Sequence, residues 1–270
     1  MNIEGHKNHE YLKIWNIIRG KIVCDQKKIE IAIDTYFYKS YFFKNNDYAT
    51  WRNKSTQVSV KLGQLTHPNR GTHSHLDQGS ITACMGGEEL IVDPGTFSYF
   101  TSTTQRKSIV SSHRHNLSVI EDCEPAKQLG TFSFEQVVDI ATLHFNREKG
   151  MFLVPGPVIG TSMFDYQRLI ELSDSNFKIV DTFNREHNWL SRMHFHPKFK
   201  LHMHQNEIFA VSEQTTVIIK AWSNSKTTIS IDNYLYSDHY GKSEIAECLT
   251  LQSLEMCKTI EWYFEYEEKS

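Results

Sequence analysis

The chain has 270 residues, with 29 Lys and Arg against 32 Asp and Glu, for a formal net charge of -3. That balance supplies no global field to draw in nucleic acid or an anionic membrane, so neither is expected as a partner and any anionic ligand has to be held locally. Cys24, Cys84, Cys123, Cys248 and Cys257 are odd in number and lack C-x-x-C spacing, which indicates neither a disulfide framework nor a thiolate zinc site.

The start, "MNIEGHKNHEYLKIW", lacks the basic-then-apolar pattern of a signal peptide, and no stretch reaches the apolar length needed to span a bilayer. Read literally, the chain is soluble and unexported; its compartment stays open. Residues 1–34 read as an N-terminal appendage or linker remnant, with a short amphipathic stretch around Tyr11–Ile18. Residues 35–270 change to a β pattern. "SITACM" and "ELIVD" flank Gly86-Gly87, a pair suited to the positive φ angles of a tight hairpin. In the same way, "TSMFDYQRLIEL" and "FKIVDTF" flank Asp174-Ser175-Asn176, and "TTVIIKAW" and "KTTISID" flank Asn224-Ser225. The end of the chain reads as two more strands, with Ile260, Trp262, Phe264 and Tyr266 alternating with polar neighbours. Helical periodicity is nearly absent after residue 40. The pattern predicts an all-β fold, a large antiparallel β-sandwich.

Of the 14 histidines, eight cluster at 73–75, 113–115 and 194–204, which makes metal or acid–base chemistry worth testing. If "THSHLD" is extended, His73 and His75 project to one side, and Asp93, at the end of the hairpin's second strand, returns toward them. "SSHRHNLSVI" offers His113 and His115 on a common face. Two imidazoles and a carboxylate make a plausible zinc set; the alternative is unconnected polar residues at strand ends. In "SRMHFHPKFKLHMH", Arg192, His194 and His196 alternate with Met193 and Phe195, which favours a structural or surface role over a second metal site. The stripe Trp262, Phe264, Tyr266 reads as core or edge packing.

The runs "GTHSHLDQGSITACMGGEELIVDPGTFSYF", "QRKSIVSSHRHNLSVIED" and "DTFNREHNWLSRMHFHP" resemble, in order, the H-x-H-x-D, I-V-D-P-G-T-Y, R-S-T-x-A-H-N and F-H-x-H-P blocks of the C-terminal β-sandwich of heparinase II/III polysaccharide lyases, over roughly residues 36–200. The resemblance implies that His73 is the catalytic-site histidine and that His75, Asp93 and His115 form a metal triad, usually for Zn2+ or another divalent ion. Where the family commonly has R-S-T-R-A-H-N, this chain has Val110-Ser111-Ser112-His113-Arg114-His115-Asn116, which displaces the basic residue. The family's enzymes also begin with an α/α toroid that supplies a proton-donating tyrosine and a group neutralising the substrate carboxylate. This chain has no room for it, leaving a separate toroid protein or domain as an implied partner.

Two functions therefore stand. In the first, the chain is a lyase domain cleaving an acidic, uronate-containing polysaccharide by β-elimination, with His73 as base or as polariser of the acid. Tyr99, beside the metal hairpin, is a candidate sugar contact and proton donor, although a packing role accounts for it equally well. In the second, it is a non-catalytic, metal-stabilised sandwich that binds glycan or docks on another subunit.

Overall fold

The computed structural model describes residues 39–43, 48–62, 74–99, 102–134, 150–204 and 207–267, without the side chains of 39–43 and 103. The expected boundary between residues 34 and 35, the amphipathic stretch before it, and His73 all lie outside the described residues.

Alternation between buried and half-exposed positions builds the first sheet. β1 (Lys39–Phe43), β2 (Tyr48–Arg52), β3 (Thr56–Lys61), β4 (Ile81–Met85) and β5 (Glu88–Ile91) follow one another as an antiparallel meander. The β4–β5 turn is Gly86-Gly87, both with positive φ. A Cβ on Gly86 would also lie 2.5 Å from the Tyr266 ring, so only glycine satisfies both backbone and packing there.

An α-helix, α1 (Thr103–Val110), follows. Its capping box joins Ser102 and Gln105, and this S-x-x-Q signature is visible in the sequence. The helix is mostly polar and presents no apolar stripe to a periodicity search. After a 3-10 turn (Ser112–Arg114) come β6 (Ser118–Ile120), the short pair β7 (Gln128–Gly130) and β8 (Ser133–Phe134), β9 (Met151–Val154), and a second short pair, β10 (Val158–Ile159) and β11 (Ser162–Met163).

The remaining strands are β12 (Tyr166–Leu172), β13 (Asn176–His187), β14 (Trp189–His194), β15 (Lys200–His204), β16 (Glu207–Val211), β17 (Thr216–Ser223), β18 (Thr227–Tyr236), β19 (Glu244–Ser253) and β20 (Cys257–Glu267). They form an antiparallel seven-stranded sheet, β15-β16-β17-β20-β13-β12-β9, and a four-stranded sheet, β18-β19-β14-β6. The Asp174–Asn176 turn makes the expected hairpin of β12 and β13. The Asn224-Ser225 turn does not: β17 pairs with β20 and β18 with β19, so the chain crosses between sheets there. The last two strands, β19 and β20, are likewise in different sheets. The Asn224 carboxamide explains the turn, because its oxygen accepts from the backbone N–H of Lys258 and of Thr259, each at 2.9 Å. It fastens one crossover to the other instead of closing a hairpin.

One apolar core joins all three large sheets, with Val58, Ile81 and Leu90 from the first, Ile179, Trp262 and Phe264 from the second, and Met193 and Leu249 from the third. Inward positions of β20 are thus core, as the aromatic alternation predicts. Phe177 stacks on Phe264 with centroids 4.4 Å apart, and the Trp262 indole N–H donates to Ser191 Oγ at 2.9 Å, which satisfies its one polar atom.

Candidate functional site

Three segments converge at one edge of this core. His75 lies on the loop before β4, Asp93 two residues beyond β5, and His115 just after the 3-10 turn. Residues 74–80 are loop and not the extended strand expected for "THSHLD". The loop is held by backbone bonds from Leu76 N–H to Val110 O (2.8 Å), Gly79 N–H to Lys61 O (2.7 Å) and Ser80 N–H to Asp77 O (3.0 Å), which give it the partners that a ladder would otherwise provide.

His115 is buried, and its Nδ1 donates to Asp93 Oδ2 at 2.7 Å, since a carboxylate only accepts. The other oxygen, Oδ1, accepts from Gly95 N–H at 2.9 Å. Gly95 has φ +77, and a Cβ there would collide with the Ser237 carbonyl; this is why a glycine stands two residues after Asp93. The His75 ring is centred 5.4 Å from that of His115, and its Nε2 is 3.1 Å from Thr96 Oγ1. Burial opposes charge on His115, but the charge and hydrogen bond of Asp93 more than offset it and raise its pKa. Burial also opposes ionisation of Asp93, yet His115 and the Gly95 N–H hold its carboxyl well below the usual range. His75 is pushed down to about 4, by burial first and then by the neighbouring His115.

The three residues that the sequence groups are therefore neighbours. His115 Nε2 is buried with no hydrogen-bond partner. Among the described residues, however, no group of three His, Cys, Asp or Glu side chains is arranged around a common point to hold a metal ion. Asp93 and His115 bond each other. A cleft beside them is lined by His75, Asp93, Tyr48 and the Lys61–Asp77 ion pair of 2.5 Å.

His113 does not share a face with His115, contrary to the alternation expected. The intervening residues form a 3-10 turn with three residues per turn, so positions i and i+2 diverge. His113 lines a different cleft, with Arg192 and Glu124. Tyr99 is 44% exposed; its ring centroid is 6.0 Å from that of Phe132 and 6.1 Å from that of Tyr240, and the Arg106 guanidinium lies 5.4 Å from its own.

Sequence reasoning missed the scaffold of this site. Asn116 donates through Nδ2 to Ile81 O (2.8 Å) and Val92 O (2.9 Å), and accepts at Oδ1 from His194 N–H (2.8 Å) and His194 Nδ1 (2.9 Å). One amide thereby ties the segments that carry Asp93, His115 and β14. His194 is structural, as its alternation suggests, although it is buried and not on an open face. Below it, Arg168 and Asp181 form a fully buried bidentate pair with both bonds at 2.7 Å. Arg168 Nη1 also donates to Gly79 O and Asn116 O, each at 2.8 Å. The available signal was a charge at an inward position on each of two paired strands, between Tyr166 and Ile170 and between Ile179 and Phe183.

A family model for the heparinase II/III-like C-terminal domain matches residues 38–263. Solved structures with a similar fold include a heparinase III with methylated lysines (TM-score 0.66, 16% identity, 86% of this chain and 36% of that chain). A second heparinase III structure gives TM-score 0.67 and 15% identity over 97% of this chain and 42% of that one. Heparan sulfate lyase HepC from Pedobacter heparinus gives 0.61 and 13% over 87% and 37%. At such identities the likeness is one of fold, and the chain spans between 36% and 42% of those three structures' lengths. No curated protein matches the chain.

Proposed function

The chain belongs to the heparinase II/III-like C-terminal domain family, and on that premise we propose that it is the sandwich part of a polysaccharide lyase acting by β-elimination on a uronate-containing glycan. The observation that carries this reading is the clustering of His75, Asp93 and His115, at the positions of the family motif, beside an open cleft. β-Elimination requires neutralisation of the uronate carboxylate, a base for the adjacent proton and an acid for the leaving oxygen. His73 is proposed as the base or as the group that polarises the acid. Tyr99 is proposed as a proton donor or sugar contact, and its exposure and phenol suit either.

A divalent ion, Zn2+ by donor type, is proposed at His75, Asp93 and His115. Two imidazoles and a carboxylate are suitable donors, and the unpartnered His115 Nε2 is a nitrogen with no other assignment. An ion at Nε2 lies across the ring from Asp93, which accepts from Nδ1, so in this arrangement Asp93 orients His115 and would have to release Nδ1 to bind the ion itself. Bound there, the ion would neutralise negative charge and hold the cleft's segments together.

The acid and the carboxylate neutraliser are proposed to come from an α/α-toroid domain or protein. The test is an absorbance assay for unsaturated uronate over a panel of acidic polysaccharides, with and without such a domain. His73→Ala is expected to abolish product while leaving melting temperature and metal content unchanged. Undiminished turnover in His73→Ala would remove it from the mechanism.

A further inference from the structure

A second cleft lies beside the 3-10 turn. It is lined by His113, Arg114, Arg192, Asp232 and Asn233. Two arginines line one cleft, and among the described residues neither guanidinium is in an ion pair, although the Asp93 charge acts on Arg114. Each is instead steered by a backbone carbonyl: Arg114 donates through Nη2 to Leu235 O at 2.7 Å, and Arg192 through Nη1 to His113 O at 2.8 Å. A carbonyl orients a guanidinium without cancelling its charge. The second of these bonds also brings the Arg192 fork to the residue next to Arg114. Arg114 Nε and His113 Nε2 are buried with no hydrogen-bond partner, a costly state that an incoming acceptor would relieve.

The nearby carboxylates do not fill this role. Asp232 is exposed and accepts from Ser230 Oγ at 2.9 Å. Glu124, in the adjoining cleft with Glu121 and Asp122, is occupied by the hydroxyl of Ser111 and by the N–H and hydroxyl of Ser112, the last two at 3.0 and 2.5 Å. Glu124 is thus satisfied locally, whereas Arg114 Nε and His113 Nε2 are not.

We propose that Arg114 and Arg192, with His113, form an oxyanion subsite that takes the carboxylate or sulfate substituent of an acidic sugar. The subsite rests on the glycan reading above and extends it to the residues that read the charge. Planar guanidinium forks match both carboxylate and sulfate geometry.

Calorimetric titration at low salt tests it with four probes: inorganic sulfate, a sulfated uronate hexasaccharide, the same hexasaccharide desulfated, and the same with its carboxyls reduced. The chain is expected to bind the intact hexasaccharide, and Arg192→Gln and Arg114→Gln are each expected to weaken that binding at least roughly ten-fold, with added salt reproducing the loss. Arg114→Lys, which keeps the charge but loses the fork, should fall between. Lys220→Gln, exposed on the seven-stranded sheet, should leave binding unchanged. The modified hexasaccharide that loses affinity identifies the substituent recognised. The subsite is overturned if Arg192→Gln and Arg114→Gln melt as the parent does and bind every probe equally, or if the parent binds none. Binding that persists in a chain inactive alongside a toroid domain would sink the lyase reading and leave the subsite standing.

Discussion

His194 shows how one side chain links the site to stability. Burial, and then the charge of His115, lowers its pKa from 6.5 to about 3, so the folded protein keeps it neutral, with Nδ1 donating to Asn116. Between these two values the unfolded chain binds the extra proton, and stability falls as pH falls, by about 1.4 kcal/mol per pH unit for this group. Above pH 6.5 its contribution is complete. His194→Gln retains a donor for Asn116 and cannot titrate, so its urea midpoint should drop less than the parent's between pH 7 and pH 5; equal drops would show that His194 is not held neutral. His115 supports a separate prediction. After reconstitution with zinc, elemental analysis should find about one ion per chain, and His115→Ala should lose it. A parent chain that takes up no zinc would exclude the proposed metal.

At the scale of elements, the β12–β13 hairpin sets the geometry beneath the site. Its register places Arg168 opposite Asp181, and both are wholly buried. Such a pair does not guarantee stability, because desolvation offsets much of the attraction, but removing one partner strands a charge. Asp181→Asn should therefore cost about 3–5 kcal/mol in chemical denaturation. The double change Arg168→Met with Asp181→Leu should recover part of that loss, since it strands nothing. If the double variant is at least as unstable as the single one, the strand-charge argument fails and the bonds from Arg168 to Gly79 and Asn116 carry the effect.

For the whole molecule, the chain's span of 36% to 42% of similar solved lyases bears directly on activity. General-acid catalysis is typically worth roughly 10²–10⁴ in rate, and positioning adds more. A sandwich assayed without a toroid should therefore give little or no unsaturated product, and adding one should restore product by at least that factor. Robust turnover by the 270-residue chain alone would show that Tyr99 or another sandwich residue completes the site. Among the described residues, no helix is long and apolar enough to cross a membrane.

Strand alternation, turn residues and motif order were local properties, and from them the sequence by itself determined the all-β architecture, the Gly86-Gly87 hairpin, the buried aromatic face of β20 and the grouping of His75, Asp93 and His115. Partner choice was not local. The same turn chemistry closes a hairpin at Asp174–Asn176 and a sheet crossover at Asn224-Ser225, and only the packing of β17 on β20 and β18 on β19 distinguishes them. The separation of His113 from His115 likewise depended on a 3-10 turn that period-two reading cannot see. Asn116 and the Arg168–Asp181 pair became legible as the frame of the site only in three dimensions, because their hydrogen bonds join residues from 13 to 89 positions apart, and a polar side chain reveals its role when burial leaves it those partners and no water.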